Sequence, residues 1–201
     1  PMETKPMEAR VALIPYAVAE LVQAGHEVLV QASAGVLSGY SDAEFVAAGA
    51  TVLPSAEAVF ASAELIVKVK EPIAGDLALL RSHHLLFCYL HLAPNPELSR
   101  RLCDIGLTAV AFETVVEGGR LPLLAPISEI AGRVAVQAGV HYLHRSMGGK
   151  GLLLGGVPGA ENGRVVIIGA GVAGQNSARM AAAMGAYVTA FDRSPDALRA
   201  I

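Results

Sequence analysis

The chain has 201 residues, which is enough for one large domain or two small ones. It is 53% hydrophobic and 16% charged, with a mean hydropathy of +0.49, and this balance excludes an intrinsically disordered chain. A formal net charge of −3 without a basic stripe gives no electrostatic footprint for nucleic acid, so no nucleic-acid partner is expected.

The sequence also bears on the cellular location of the protein. Its first ten residues lack the apolar core of a secretory signal, and no uncharged apolar stretch reaches the roughly 20 residues of a membrane span. Cys88 and Cys103 have neither metal-site nor C-x-x-C spacing. We therefore expect a soluble, reduced, cytoplasmic protein with no metal site and no membrane contact.

The first part of the chain alternates between helical patterns and short apolar strands. Helices are predicted over residues 15–24, 42–50 with Ser41 as its cap, 55–63, 76–82 and 96–106, and strands over residues 26–32, 51–54, 65–70, 85–90 and 107–113. Repeated strand–helix units with short connections predict a mostly parallel sheet with helices on both faces.

A second block follows the proline-rich stretch 121–126. Ser128 is predicted to cap a long helix, and then come a strand at 164–169, a helix at 172–184, a strand at 186–192 and a helix from Pro195. The fold class is therefore α/β, with two Rossmann-like parallel-sheet domains over residues 1–126 and 127–201. The chain opens without Met and stops inside a helical pattern, so we expect both domains to be incomplete parts of a longer protein.

Residues 169–174 read GAGVAG, a G-x-G-x-x-G pattern between an apolar strand and a helix. In a dinucleotide site Gly169 permits the tight turn, Gly171 lets the backbone approach the pyrophosphate, and Gly174 lets the helix pack on the strand. The free N–H groups near Val172 and Ala173 would face the phosphates. A glycine-rich turn without a ligand is the alternative.

The following strand ends in Asp192, 18 residues after Gly174, close to the spacing of the acidic residue that binds the adenosine ribose. A carboxylate there favours NAD, because it would repel the 2′-phosphate of NADP. Arg193, next to it, favours NADP instead, because its guanidinium could bind that phosphate. We expect NAD.

The chain has only four lysines, and two of them lie in the apolar run LIVKVK. Alternation places Lys68 and Lys70 on one face, at the carboxyl end of the strand, where open α/β sheets bind ligands. The next strand leads to His91, and Arg10 precedes the first helix. A guanidinium can hold a carboxylate and an imidazole can exchange a proton, so this set suits a small oxo-acid.

Simpler roles remain open for several of these side chains. Lys68 is expected to extend its ammonium from the strand end into water, and Lys70 and His91 could also be ordinary surface groups. His83 and His84 lie in a polar connection and are predicted to be solvated. Glu113 could orient a basic group, but nothing in the sequence singles it out.

Several motifs together resemble the bacterial alanine dehydrogenases, which share a fold with the transhydrogenase alpha subunit. They are RVALIP, GHEVLVQASAG, LIVKVKEP, YLHLA, AFETV, LPLLAPISEIAGR, GGVPG and GAGVAG, in this order over essentially the whole chain. Family members also have a strand before the position of Pro1 and well over a hundred residues after that of Ile201. Two departures are Ile127 in place of a usual Met and Ala197 in place of a frequent basic residue.

The resemblance implies reversible, NAD-dependent oxidative deamination of L-alanine to pyruvate and ammonia by a hexamer. It implies that Arg10 and Lys70 bind the substrate and that His91 is the acid–base group. It further implies cofactor contacts at Ser128, Val172, Ala173 and Asp192. The family's catalytic Asp lies beyond this chain, so the 201-residue segment alone is expected to be inactive. The alternatives are a transhydrogenase-like nucleotide-binding protein and a non-catalytic binding module.

Overall fold

The computed structural model describes all 201 residues, which separate into two compact units, residues 1–115 (unit 1) and residues 116–201 (unit 2). All pairings between the strands are parallel, as the repeated strand–helix pattern predicts. The predicted α/β class is confirmed. No helix has the length and apolar character needed to cross a membrane.

Unit 1 contains five helices and five strands in two sheets. The helices are α1 (Pro15–Gln23), α2 (Asp42–Ala47), α3 (Ala56–Ser62), α4 (Ala74–Leu79) and α5 (Pro96–Ile105). The strands are β1 (Leu29–Gln31), β2 (Thr51–Leu53), β3 (Leu65–Val67), β4 (Leu85–Cys88) and β5 (Thr108–Ala111). β1 pairs with β2, while the second sheet has the order β3-β4-β5.

Local signals set the ends of several helices. Ser41 caps α2 as predicted, because its hydroxyl accepts the N–H of Glu44 while the Glu44 carboxylate accepts the N–H of Ser41. Asn95 caps α5, Pro96 occupies its first turn, and the helix ends at Gly106 with φ +77°.

The strand predicted over 65–70 is regular only to Val67. The N–H of Lys68 still donates to the Phe87 carbonyl at 3.1 Å, and the Val69 carbonyl accepts from Tyr89 at 3.1 Å. On the other side, the N–H groups of Val69 and Lys70 donate to the Glu3 side chain rather than to a strand. The strand predicted over 85–90 ends at Cys88 for a similar reason, since the N–H of Leu90 donates to Glu113.

The core of unit 1 forms around the three-stranded sheet. Ile66 on β3 and Leu86 on the central strand β4 are almost fully buried, and each contributes about 1.5–3 kcal/mol by leaving water. They pack with Phe60, Leu80, Cys88, Leu90, Leu98 and Leu102. A second cluster, which includes Val18, Val30 and Phe45, fills the space under β1 and β2.

His84 is buried in unit 1, so the prediction that it is solvated is wrong, whereas His83 is exposed. The N–H of Arg81 donates to Nδ1 of His84 at 3.0 Å, and Nε2 lies 2.9 Å from the Phe60 carbonyl. With Nδ1 accepting and Nε2 donating, the neutral ring is satisfied without water. Burial accordingly lowers the pKa of His84.

Unit 2 contains α6 (Leu124–Leu143), β6 (Arg164–Ile168), α7 (Val172–Ala183), β7 (Tyr187–Phe191) and α8 (Pro195–Arg199). The long helix begins at Leu124, so the prediction that Ser128 caps it is wrong. The prediction started the helix after Pro126. A proline is nevertheless compatible with the first turn of a helix, because the N–H that it lacks would have no intrahelical partner there.

Helices α6 and α7 approach each other closely at Gly132. A methyl group at this position would lie 2.2 Å from the Ala173 carbonyl oxygen, which belongs to the backbone. The contact is fixed by two hydrogen bonds, from Ser177 Oγ to the Gly132 carbonyl at 2.8 Å and from Arg133 Nε to Asn176 Oδ1 at 3.2 Å. The first turn of α7 is therefore held against α6 where only glycine fits.

We predict that Gly132→Ala destabilises unit 2 by about 1–3 kcal/mol, because the helices must separate to admit the methyl group. Gly139→Ala is the matched control on the same helix, since nothing lies within 4 Å of its added carbon. That variant should be neutral or up to about 1 kcal/mol more stable. Urea unfolding followed by circular dichroism compares the two, and equal midpoints would contradict the close-packing interpretation.

Candidate functional site

The carboxyl ends of three parallel strands lie at one edge of the β3-β4-β5 sheet, where α/β proteins bind ligands. Lys68 to Glu71 follow β3, Tyr89 to His91 follow β4, and Glu113 follows β5. Lys70 and His91 therefore come from neighbouring strands at the same edge. We call this edge, together with residues 3–10, the strand-end site.

Lys68 is not a solvated side chain, and the expectation that it reaches water is wrong. Its side chain is 1% exposed, and Nζ lies 3.4 Å from Glu3 Oε2 and 3.5 Å from Asp76 Oδ2. Neither contact has hydrogen-bond geometry, so the ammonium is held mainly by charge. A buried cation needs such compensation because desolvation alone is costly.

The segment before α1 is fastened to the end of β3 by its side chains. Glu3 accepts the N–H of Val69 at 2.6 Å and that of Lys70 at 3.3 Å. Thr4 Oγ1 donates to Asp76 Oδ2 at 3.1 Å, and Lys5 forms an ion pair with Glu71. The end of β3 and the start of α4 therefore fix the position of this segment, which leads to Arg10.

Arg10 is oriented by Glu8. The carboxylate accepts Nε at 2.7 Å, Nη2 at 2.6 Å and the backbone N–H of Arg10 at 3.0 Å. These hydrogen bonds lower the pKa of Glu8 to about 2, with the charge of Lys70 assisting. The Arg10 side chain is 46% exposed, and its remaining N–H groups are open to a second carboxylate.

His91 adopts a strained backbone at the end of β4. Its φ is +48°, which is uncommon for a residue other than glycine, and Glu113 Oε1 accepts its N–H at 2.7 Å. The ring is 46% exposed, with Nδ1 3.3 Å from Glu71 Oε2. Unusual backbone held by specific partners is typical of functional positions.

Tyr89 lies beside the His91 ring at the strand-end site. It is 8% exposed, and its ring centre lies 6.0 Å from that of His91 and 5.1 Å from that of Phe112. Burial raises the pKa of Tyr89, and the positive charge of Arg10 opposes the rise. The strand-end site therefore combines a guanidinium, an ammonium and an imidazole over an apolar floor, which suits a small carboxylate that exchanges a proton.

The glycine-rich turn of unit 2 has the conformation that a dinucleotide needs. Gly169 has φ +100°, and a methyl group on Gly174 would lie 1.8 Å from the Gly169 carbonyl oxygen. Nothing lies within 4 Å of a methyl group added to Gly171, so that side is open. No side chain caps α7, which leaves the N–H groups of Val172 and Ala173 available to a phosphate.

Asp192 lies beside this turn. Oδ2 accepts the N–H of Ala170 at 2.6 Å, and Oδ1 accepts that of Ser194 at 2.8 Å. These hydrogen bonds lower the pKa of Asp192, so it is ionised at neutral pH. Each oxygen keeps further acceptor capacity for a ribose hydroxyl. Ser128, also in unit 2, is half-buried on α6.

Two acidic residues of the strand-end site, Glu3 and Glu71, were not predicted from the sequence, and Glu113 was considered only as a group that could orient a basic side chain. Glu71 and Glu113 each follow a strand of the same sheet, a signal that could have placed them at this edge. Glu3 contacts residues 66 and 67 positions later, and no local pattern reports such a pairing.

Comparison with known proteins finds matches over almost the whole chain. Residues 1–131 match the family described as alanine dehydrogenase/PNT, N-terminal domain, and residues 135–201 match its C-terminal domain. An alanine dehydrogenase of Mycobacterium tuberculosis is 53% identical over 200 residues, which is 99% of this chain and 54% of that protein. The chain thus spans about half the length of the curated relatives it matches.

Two solved structures are similar as well. An L-alanine dehydrogenase superimposes with a TM-score of 0.89 at 48% identity, covering 98% of this chain and 55% of the other. A transhydrogenase from Sinorhizobium meliloti superimposes with a TM-score of 0.81 at 29% identity, covering 99% and 57%.

We predict that Lys68→Met destabilises unit 1 by about 3 kcal/mol, because it leaves the Glu3 and Asp76 carboxylates buried without a cation. Lys70→Met, two residues away and half-buried, should cost less than about 1 kcal/mol. Urea unfolding measures both. Equal losses would mean that burial does not distinguish the two lysines.

We also predict that the Glu8–Arg10 pair stabilises the protein in a pH-dependent way. The pKa of Glu8 is lowered from 4.5 to about 2, so the stabilisation is full above pH 4.5 and disappears as the pH falls toward 2. Because Arg10 is half exposed, we expect only about 1 kcal/mol at pH 7. Unfolding of Glu8→Gln at both ends of this range, with exposed Glu20→Gln as control, tests it; a pH-independent difference contradicts it.

Proposed function

The chain belongs to the alanine dehydrogenase/PNT family, and on this premise we propose that the protein is an NAD-dependent L-alanine dehydrogenase. The reaction is the reversible conversion of L-alanine, NAD⁺ and water to pyruvate, ammonium, NADH and a proton. The observation that supports the proposal is the strand-end site, where Lys70 and His91 follow neighbouring parallel strands and the segment fastened to the end of β3 carries Arg10.

Each residue has a separate task in this proposal. Arg10 binds the substrate carboxylate with the N–H groups that Glu8 leaves open. The Lys70 ammonium donates a hydrogen bond to the carbonyl oxygen of pyruvate and stabilises negative charge there. His91 takes up or returns the proton that accompanies the attack or release of water and ammonia.

The cofactor part of the proposal rests on the turn GAGVAG and Asp192. The turn would hold the pyrophosphate through the backbone at Gly169, Gly171 and Gly174 and at the start of α7, and Asp192 would accept the adenosine ribose hydroxyls. We assign NAD rather than NADP because the Asp192 carboxylate is ionised. When bound, NAD would supply the acceptor for the hydride that leaves the substrate carbon.

The wider organisation is part of the same proposal. Residues 1–126 belong to substrate binding, and residues 127–201 to NAD binding with Ser128 near the nicotinamide. A hexameric assembly and a cytoplasmic location follow from the family resemblance and the cysteine pattern. Size-exclusion chromatography with light scattering on the product of the complete reading frame tests the hexamer.

A transhydrogenase-like function is the second candidate, and the similar Sinorhizobium meliloti structure is the observation that favours it. It requires hydride exchange between two nicotinamide nucleotides and no dependence on alanine or ammonia. The strand-end site favours the dehydrogenase, since a transhydrogenase has no small oxo-acid to bind there.

The test follows NADH formation with L-alanine at alkaline pH, using protein from the complete reading frame. We expect His91→Asn and Lys70→Met to lower kcat/KM at least ~100-fold, the range for loss of an acid–base group. His83→Asn, an exposed histidine away from the site, is the control and should keep full activity. A protein that forms no NADH with L-alanine but transfers hydride between nicotinamide nucleotides would instead be a transhydrogenase.

A further inference from the structure

Glu71 lies between a cation and the proposed acid–base group. It follows β3, and its side chain is only 15% exposed. Oε1 accepts from the Lys5 ammonium, whereas Oε2 is buried and has no hydrogen-bond partner. The group next to Oε2 is Nδ1 of His91, at 3.3 Å. A buried carboxylate oxygen without a donor is costly, so this spacing favours an N–H at Nδ1.

The rest of His91 is fixed from its main chain. Glu113 Oε1 accepts the N–H of His91 at 2.7 Å, and Oε2 accepts that of Leu90 at 3.2 Å. These bonds hold the left-handed backbone at φ +48°, which is unfavourable for a residue other than glycine. With the backbone fixed, the ring edge that carries Nδ1 faces Glu71.

We propose that Glu71 is a positioning residue that accepts a hydrogen bond from Nδ1 of His91, so that Nε2 is the atom that exchanges protons with the substrate. The proposal rests on the acid–base role proposed above for His91. A carboxylate that orients an imidazole in this way selects one tautomer and stabilises the protonated ring when it forms. Glu71 itself touches neither substrate nor cofactor.

The charges around the pair are consistent with this role. Burial alone would raise the pKa of Glu71, but hydrogen bonding and charge from Lys5, together with nearby His91, leave it below its ordinary value. Glu71 is therefore ionised and able to accept. Two further ionisable groups contact His91, Glu113 at its backbone and Tyr89 beside its ring, and the cations Lys70 and Arg10 belong to the same site. The Lys5 ammonium offsets the negative charge of Glu71, so His91 does not lie beside an uncompensated anion at this position.

The direct test is the tautomer of His91, read from nitrogen chemical shifts in ¹⁵N-histidine-labelled protein at a pH where the ring is neutral. In the unsubstituted protein the proton should be on Nδ1. Glu71→Gln, which has nearly the same shape, can turn its amide NH₂ toward Nδ1 and should move the proton to Nε2. Exposed Glu64→Gln, at the start of β3, is the matched control and should leave the ring unchanged.

Kinetics of the complete protein provide the second readout. Glu71→Gln should lower kcat for alanine oxidation by roughly 10–100-fold with little change in KM, as for other groups that orient a functional histidine. Glu71→Asp, which keeps the charge, should recover part of this loss. A simple structural role would not give this recovery, and it would not separate kcat from KM.

The outcomes distinguish this inference from the proposed function. An unchanged tautomer in both Glu71→Gln and Glu71→Ala overturns the role of Glu71, whatever the activity. A changed tautomer with full kcat overturns it as well, because positioning would then have no catalytic consequence. Full activity in His91→Asn overturns the acid–base role in the proposed function, while the tautomer measurement still reports whether Glu71 holds the ring.

Discussion

The burial of Lys68 between Glu3 and Asp76 is the constraint on which the strand-end site depends. An ammonium that is 1% exposed must keep two carboxylates beside it, and one of them comes from the third residue of the chain. The segment before α1 contains no helix or strand, so this contact and its neighbours give it a fixed path. That path ends at Arg10, and it brings Lys5 to Glu71 along the way.

The same site shows a second regularity, in which an acid orients each basic group. Glu8 orients the Arg10 guanidinium, Glu3 holds the backbone of Lys70, and Glu113 holds the backbone of His91, whose ring lies beside Glu71. Groups fixed in this way need little reorganisation when a charged substrate binds. Such preorganisation of polar groups is the main source of electrostatic catalysis. Unit 2 uses a comparable device, because the Asp192 carboxylate holds the backbone of the glycine-rich turn.

The sequence predicted the parts of the molecule that local rules control. Periodicity located the strand–helix units, Ser41 capped its helix, and the glycine spacing predicted the turn whose Gly169 has a positive φ. It also placed Lys70 and His91 at one edge, because parallel strands share the direction in which they end. The family motifs then pointed to the same residues.

The errors arose where distant residues decide the structure. Alternation placed Lys68 on a face but could not report a partner 65 residues earlier, and the strand pattern could not show that Glu3 replaces a neighbouring strand at Val69. His84 looked solvated because its partners, the Arg81 N–H and the Phe60 carbonyl, are backbone groups without a sequence signature. Glu113 was not singled out because it holds the backbone of His91 rather than a basic side chain, and no spacing rule predicts that contact.

The central claim is that the Glu3 side chain, fixed by buried Lys68, takes the place of a strand and holds the backbone that carries Lys70. Amide hydrogen exchange at Val69 and Lys70 tests it most directly, in the unsubstituted protein and in Glu3→Ala. The account predicts that both amides are protected and that the substitution accelerates their exchange at least ~10-fold more than that of Leu86 in the sheet core. Rapid exchange in the unsubstituted protein, or equal acceleration at all three amides, would contradict it.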